Sequence, residues 1–479
     1  MDIALYAEIA AVVVILAYIL AVVSALEAIL TSRTSQGAIA WTISLLTFPL
    51  LVVPLYLVFG RNRFDGYLEQ RDEIEAESLR LIKRTSGSIE EHVVPLSRDT
   101  PMYTSLFNLA RLPATTGNRV ELLVDGEQTF DSILEGLKSA QKYIFFQFYI
   151  IRDDELGHRL GRVLADKARD GVRVFLLYDE IGSRPFARSR LLKQLRTTGV
   201  HAVQLNTNQG RRNRFQLNFR NHRKVVVVDG RYAWIGGHNV GMEYLGLDKR
   251  IGHWRDTHTR IEGPAVLAAE LAFATDWRWA TRTSLRVAWD FSGERHGDTT
   301  LLVFPSDPAS EYEEAGLMYH QAIVGARERI WIASPYFVPD HAIVSALQLA
   351  ALRGVDVRVM IPDEPDKLLI AMANWYFTRE LLPTGVKIYR YKGGFMHQKV
   401  FVMDQEIAGV GTANFDNRSF RLNFEITVLA HDRHFTGQVA DMLIEDLAQC
   451  REVSQEEIDN KPPWFPLAMS IARLFSPVL

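Results

Sequence analysis

The chain has 479 residues, 48% of them apolar, with 54 basic and 57 acidic side chains and a net charge of −3. That length calls for two or three domains, the apolar content argues against disorder, and the balanced charge lacks the overall basic excess of many nucleic-acid binders. A single cysteine, Cys450, excludes a disulfide within the chain and a zinc site of several cysteines; it fits a reducing compartment and reads as a plain buried thiol.

Residues 1–60 differ in texture from the rest. Ile9 to Leu26 carries no charge and is nearly all apolar, and Ala38 to Phe59 is a second such stretch. At about 1.5 Å per residue either reaches across a hydrocarbon layer of about 30 Å, the first only if Glu8 and Glu27 snorkel. The polar run Thr31 to Gly37 between them predicts a transmembrane helical hairpin. A cleaved signal peptide would need a basic amino-terminal region, and no Lys or Arg precedes the first stretch. Buried helices of a soluble protein would show an amphipathic stripe, and these are apolar all round. Pro49 and Pro54 predict a bend in the second span and are tolerated in membrane helices. The amino-terminal flank has no basic residue, the loop has Arg33, and Arg61, Arg63, Arg71 and Arg80 follow the second span. The positive-inside rule then puts the carboxyl-terminal bulk in the cytoplasm and the loop outside. Residues 61–118 read as a juxtamembrane connector, helical and charged from Asp65 to Val94.

Residues 119–281 have an α/β texture. Ser139 to Tyr149 is a helix end followed by an aromatic strand, Leu156 to Asp170 is helical, and Gly171 to Asp179 is the next strand. Residues 282–298 collect Gly, Ser and charge and read as a linker. Residues 299–460 then repeat the order: Gly325 to Tyr336, a helical stretch from His341 to Arg353, and Gly354 to Asp363. The fold class is therefore α/β: two similar domains with mixed or parallel sheets, related by a pseudo-two-fold axis.

Both copies carry His-x-Lys-x-x-x-x-Asp, as His222, Lys224 and Asp229 and as His397, Lys399 and Asp404. β-Branched and apolar residues follow each Lys, so His and Lys open a strand and share one of its faces, while each Asp closes it at a turn. The next strand ends at Asn239 in one copy and Asn414 in the other, where an amide can donate to a phosphate oxygen. Two His, two Lys and two Asn brought together suit attack on a phosphodiester. One imidazole acts as nucleophile through a phosphohistidine, the other moves the proton of the leaving and entering alcohols, and the ammonium groups steady the phosphoryl oxygens. The aspartates suit orientation rather than attack. The scheme requires no metal and no cofactor.

The duplicated motif resembles the phospholipase D superfamily. Its flanks, Asn218 to Lys224, Gly236 to Gly246, Trp254 to Gly263 and Gly411 to Glu425, resemble those of bacterial cardiolipin synthases, as does an amino-terminal hairpin ending in Phe59-Gly-Arg61. His238 departs from the pattern but is none of the six central residues. The resemblance covers nearly the whole chain. It implies that two phosphatidylglycerol molecules are joined into cardiolipin with release of glycerol, at the bacterial inner membrane. It implies His222 as nucleophile and His397 as general acid and base, roles that two such similar copies can exchange. It also implies that Glu243 and Glu425 lie near the site, steadying the histidines or forming structural ion pairs.

Transfer must outcompete water, which asks for a dry pocket facing the membrane. Arg211, Arg212, Arg214, Arg220 and Arg223 would attract anionic head groups, nucleic acid being the competing partner that the membrane segment disfavours. Residues 461–479 form an apolar, aromatic tail that lies in the bilayer interface or packs on the core. A hydrolytic phospholipase D, a nuclease of the same fold and a scaffold with a dead site are the rivals. Phosphatidylethanolamine stays open as the co-substrate, and nothing in the sequence specifies an oligomeric state.

Overall fold

The computed structural model describes residues 3–60, 64, 67, 90–95, 101–206, 218–248, 250–285, 287 and 294–479. Most of the charged connector, Arg211 to Arg214 and part of the linker lie outside the described residues.

The first unit supplies β1 (Thr115–Val124), β2 (Tyr143–Phe148), β3 (Arg173–Asp179), β4 (His201–Leu205), β5 (Val225–Val228), β6 (Tyr232–Gly236) and β7 (Thr257–Glu262). The second supplies β8 (Thr299–Ser306), β9 (Arg329–Ala333), β10 (Asp356–Pro362), β11 (Lys387–Tyr391), β12 (Val400–Met403), β13 (Ile407–Gly411), β14 (Asn423–His431) and β15 (Cys450–Glu452). The order β4-β3-β2-β5-β6-β7-β1 recurs as β11-β10-β9-β12-β13-β14-β8, with β15 added outside β11. Strands β2, β3 and β4 are parallel, as are β9, β10 and β11. The remaining pairs along this order are antiparallel, so each sheet is mixed. Strands β1 and β8 meet antiparallel, Thr115 opposite Leu301 and Asn118 opposite Thr299, which runs one sheet through both units.

Crossover helices Glu155–Arg169 and His341–Leu352 join β2 to β3 and β9 to β10. Asp154 and Asp340 cap them, each accepting from the backbone N–H three residues on. Gly171 and Gly354 follow them with φ of +89°, a conformation that glycine adopts without strain. Alternation along the strands divides the core. Val225 and Val227 join Val400 and Val402 in a central cluster drawn from both units. Val226 and Val228 face the first unit's outer core, and Phe401 and Met403 the second's. Helices Val266–Thr281 and Arg433–Ala448 fill the centre with Phe273, Trp277, Val439 and Leu443.

At the amino terminus α1 (Ile3–Thr31) is long and apolar enough to cross a membrane. The expected second span is broken. Its residues form α2 (Ser35–Thr47) and α3 (Pro49–Phe59), interrupted at Phe48. Thr34 caps α2 by accepting from Gly37 N–H, and Pro49, which has no N–H to lose, opens α3. Ala21, Ser24, Ala25 and Ala28 are buried on α1; such small residues let helices approach closely in lipid. The tail packs on the core along one face. In helix Phe465–Leu474, Phe465, Met469 and Ala472 pack on the second unit's core, while Leu467, Ile471 and Leu474 are exposed. Cys450 is half-buried, and burial pushes its thiol up to about 12.

Candidate active site

Two short parallel ladders cross between the units and build the site. Arg220–Asn221 pairs with Asn423–Phe424, and Phe395–Met396 pairs with Trp254–Arg255. The next N–H in each extends its ladder: His222 donates to the Phe424 carbonyl at 2.9 Å and His397 to the Arg255 carbonyl at 2.8 Å. The residue after each of those carbonyls is acidic. His222 Nδ1 accordingly lies 2.9 Å from Glu425 Oε2 and 3.1 Å from Oε1. His397 Nδ1 lies 2.7 Å from Asp256 Oδ2. Each unit's imidazole is thus held by the other unit's carboxylate.

A carboxylate only accepts hydrogen bonds, so each Nδ1 carries the hydrogen and each Nε2 keeps its lone pair. The Thr412 carbonyl, 3.1 Å from His222 Nδ1, is a further acceptor on the same side. Lys224 Nζ donates to the His222 carbonyl at 2.7 Å, and Lys399 Nζ donates to that of His397 while lying 2.8 Å from its Nδ1. The residue between each His and Lys faces away, as strand alternation requires. Arg223 pairs with Asp276 at 2.9 Å, and Gln398 Nε2 donates to Asp446 at 2.7 Å.

The site is nearly dry. His222 and His397 are each 8% exposed, and Lys224, Lys399, Asp256 and Glu425 are at most 2% exposed. Burial favours uncharged forms. It lowers the His222 imidazole to about 4, against the pull of Glu425, and that of His397 to about 3, with Lys399 adding to the effect. It also lowers Lys224 to about 7 and Lys399 to about 8. Burial alone would raise Asp256, but the charges of Lys399, His238 and His397 hold it well below the carboxylate range. Glu425 is lowered against its burial by His222 and Lys224. The lysines act across the boundary: Lys399 depresses His222, and Lys224 depresses His397. The four motif side chains therefore share one electrostatic site.

Comparison with known proteins agrees with the duplication. The model of the family described as cardiolipin synthase, PLD-like domain, matches residues 133–253 and 319–447, one segment in each unit. Cardiolipin synthase A of Pseudomonas fluorescens SBW25 is 43% identical over 467 residues, covering 96% of this chain and 97% of that protein. The Pseudomonas aeruginosa PAO1 protein of the same name is 44% identical over 466 residues, covering 96% and 94%. This chain belongs to the cardiolipin synthase family. In fold it is similar to a phosphatidylserine synthase from Haemophilus influenzae, with a TM-score of 0.60, 14% identity, and 79% of this chain and all of that one covered.

Asp229, Asp404 and Glu243 lie apart from the paired imidazoles, the aspartates at the strand-closing turns that the motif implied and Glu243 in the ion pair that was its alternative reading. Asp229 and Asp404 sit at the far ends of β5 and β12, five residues or about 17 Å of strand beyond each Lys. Asp229 accepts the N–H groups of Gln141, Lys142 and Tyr143 at 2.7–2.8 Å, and Asp404 those of Arg327, Glu328 and Arg329 at 2.8–3.1 Å. Both have positive φ, which a short polar side chain tolerates in such turns. They pin the turns. Glu243 is not a histidine partner either. It pairs with Arg152 at 2.9 Å on the rim of a cleft of about 790 Å³, walled by Tyr244, Trp254 and Phe395. The cleft runs beside the site, with Trp254 only 4.9 Å from the His397 ring.

Asn239 and Asn414 are buried near the site. The Asn239 carbonyl accepts from Ile150 N–H, and its amide meets the Tyr244 hydroxyl at 3.3 Å. Asn414 Oδ1 has no hydrogen-bond partner among the described residues. Arg220 and Arg223 lie beside the site, Arg223 locked in its ion pair. Sequence reasoning missed Asp256, Asp276 and Asp446. Gly237 carried a signal for the first, since a Cβ there would collide with the Asp256 carboxylate. Among the described residues no group of three or more His, Cys, Asp or Glu side chains is arranged to hold a metal ion.

Proposed function

We propose that the protein is a cardiolipin synthase that moves a phosphatidyl group from one phosphatidylglycerol to the glycerol of a second. The observation that carries this is the pair of imidazoles, each backed by a carboxylate from the opposite unit, in one nearly dry site with two lysines.

In this scheme His222 Nε2 attacks the phosphorus and the bond to the head-group glycerol breaks. The departing glycerol oxygen takes a proton from His397. His397 then takes the proton of the second lipid's hydroxyl as that oxygen attacks, and the phosphorus–nitrogen bond breaks to restore His222. Burial favours neutral imidazoles, whereas a phosphodiester anion beside His397 works the other way and lets it take up the proton it delivers. Lys224 and Lys399 offset the charge gathering on the phosphoryl oxygens. Glu425 steadies the positive charge that His222 acquires on phosphorylation, and Asp256 does the same for protonated His397. Exclusion of water favours a lipid hydroxyl as acceptor, and the exposed apolar α1 keeps the site at the bilayer. The arginines that follow α3 in sequence favour the cytoplasmic face of the bacterial inner membrane for the catalytic units.

Incubating the purified enzyme with phosphatidylglycerol vesicles and resolving products by mass spectrometry tests this. Cardiolipin and free glycerol in equal amounts are expected. Phosphatidic acid as the main product would establish the hydrolase instead.

A further inference from the structure

The two halves of the second apolar stretch run side by side. Trp41 on α2 and Tyr56 on α3 have ring centroids 5.2 Å apart. In one continuous helix those residues, 15 positions apart, would be separated by about 22 Å. Leu45, Val52 and Val53 gather with Tyr56 in the same cluster, so the chain reverses at Phe48. That cluster includes Ala21, Ala25 and Ala28 of α1. By contrast Leu5, Ile9, Val12, Ile15, Leu16 and Ile19 of α1 are exposed. The short pair therefore reaches only halfway along the long helix.

Both ends of the pair return to the catalytic units. Arg33, ahead of α2, lies 3.4 Å from Glu313 of the second unit. Just past α3, the Phe59 carbonyl accepts from Asn218 of the first unit, and Phe64 is buried against Phe219 and Phe424. A loop on the far side of a bilayer could make no such contact.

Lengths and surface chemistry identify what covers the pair. Helix α2 spans about 20 Å and α3 about 17 Å, enough for one leaflet but short of the full hydrocarbon layer of about 30 Å, whereas α1 spans about 43 Å. Ile39, Ile43, Phe48, Leu50, Leu51 and Leu55 are 43–67% exposed. The tip suits hydrocarbon: Phe48 N–H donates to Ser44, the Phe48 carbonyl accepts from Val52, and Pro49 has no N–H to satisfy. The charges agree, because this arrangement leaves Arg33 on the same side as the arginines after α3 and no basic residue on the other.

We infer that α2 and α3 form a re-entrant pair seated in the leaflet facing the catalytic units, and that the chain crosses the bilayer once, through α1. The pair enters the lipid beside the ladder that holds His222. The inference is independent of which lipid reaction is catalysed.

The test uses the full chain with Cys450→Ser, single cysteines in place of Gln36, Phe48 or Gln438, and a membrane-impermeant maleimide on sealed vesicles of known orientation. Gln438 is an exposed marker on the second unit. Gln36→Cys and Gln438→Cys should label from the same face, and Phe48→Cys should label only after detergent. Labelling of Gln36→Cys from the face opposite Gln438→Cys, or of Phe48→Cys from that opposite face in sealed vesicles, would overturn the inference. If Gln36→Cys fails to accumulate, Ser35→Cys at the same turn takes its place.

Discussion

Replacing Glu425 by Gln separates the two imidazoles by function. Three donors converge on the Glu425 carboxylate: His222 Nδ1 at 2.9 Å, Thr412 Oγ1 at 2.6 Å and Asn423 Nδ2 at 3.0 Å. A carboxylate accepts all three, but the NH₂ of glutamine must face one of them donor to donor. The larger loss is electrostatic. A phosphorylated His222 with hydrogen on Nδ1 is cationic, and at 2.9 Å a full charge opposite it is worth at most about 6 kcal/mol for an effective dielectric of about 20. The amide dipole and local relaxation recover part of that, leaving about 3–4 kcal/mol, or a 10²- to 10³-fold loss of turnover. Asp256→Asn should lose a similar factor by weakening proton delivery through His397. A donor lipid with a 4-nitrophenyl leaving group, which departs without a proton, distinguishes the two. It should restore Asp256→Asn towards wild-type rates of phosphoenzyme formation and leave Glu425→Gln slow. Thermal melts check that both variants are folded. Turnover of Glu425→Gln within tenfold of wild type would refute the charge argument. Rescue of Glu425→Gln alone would exchange the roles of the two histidines.

Asp229→Ala should lower the melting temperature, because it frees three backbone N–H groups at a cost of about 1–3 kcal/mol, while the kcat of the folded fraction stays within about twofold; a loss of kcat without a loss of stability would return Asp229 to the chemistry. The imidazoles also predict a pH dependence of stability. Their native values, about 4 for His222 and about 3 for His397, lie below the ordinary 6.5, so between these limits the unfolded chain binds more protons. Their full contribution is present above pH 6.5 and is lost as pH falls towards 4, by up to about 2.7 kcal/mol per pH unit for the pair. Melting temperatures between pH 7 and 4.5 should therefore fall, and less steeply in His397→Gln; equal slopes would show that His397 is not buried in its neutral form.

The repeat and the His-x-Lys openings were legible because both depend on local pattern: period-two alternation puts His222 and Lys224 on one side and Arg223 on the other. The carboxylate of His397 was not, for a reason of spacing. Asp256 lies 17 positions after Asn239, whereas Glu425 lies 11 after Asn414. Six extra residues around Gly246 to Gly252 hide the equivalence of the two acids. The ladder register restores it, since His397 binds the carbonyl before Asp256 just as His222 binds the one before Glu425. The turn positions of the motif aspartates were legible, since each follows four strand residues, but the three backbone N–H groups that each accepts come from a distant stretch of the chain and were not. Pro49 and Pro54 announced a bend, but the full reversal at Phe48 escaped because hydropathy counts apolar length, and the Trp41–Tyr56 contact is a matter of direction.

In the proposed scheme, the exchange of carboxylates between the units makes inter-unit register a catalytic variable. Buried charges enforce that register. Arg223 of the first unit donates to the Glu425 and Ser306 carbonyls of the second at 3.0 and 2.9 Å while paired with Asp276. Arg255 of the first unit holds Asp446 of the second with contacts of 2.6 and 3.0 Å. Ion pairs this deeply buried add little net stability over well-packed apolar groups, yet removing one partner costs about 3–5 kcal/mol. Their effect is to penalise any slip between the units: a displacement that parts Arg223 from the Glu425 carbonyl also carries the Glu425 side chain away from His222. The sheet that continues from β1 into β8 sets the approximate placement, and these charged contacts fix the last ångström, on which the proposed attack at one phosphorus atom by groups from two units depends.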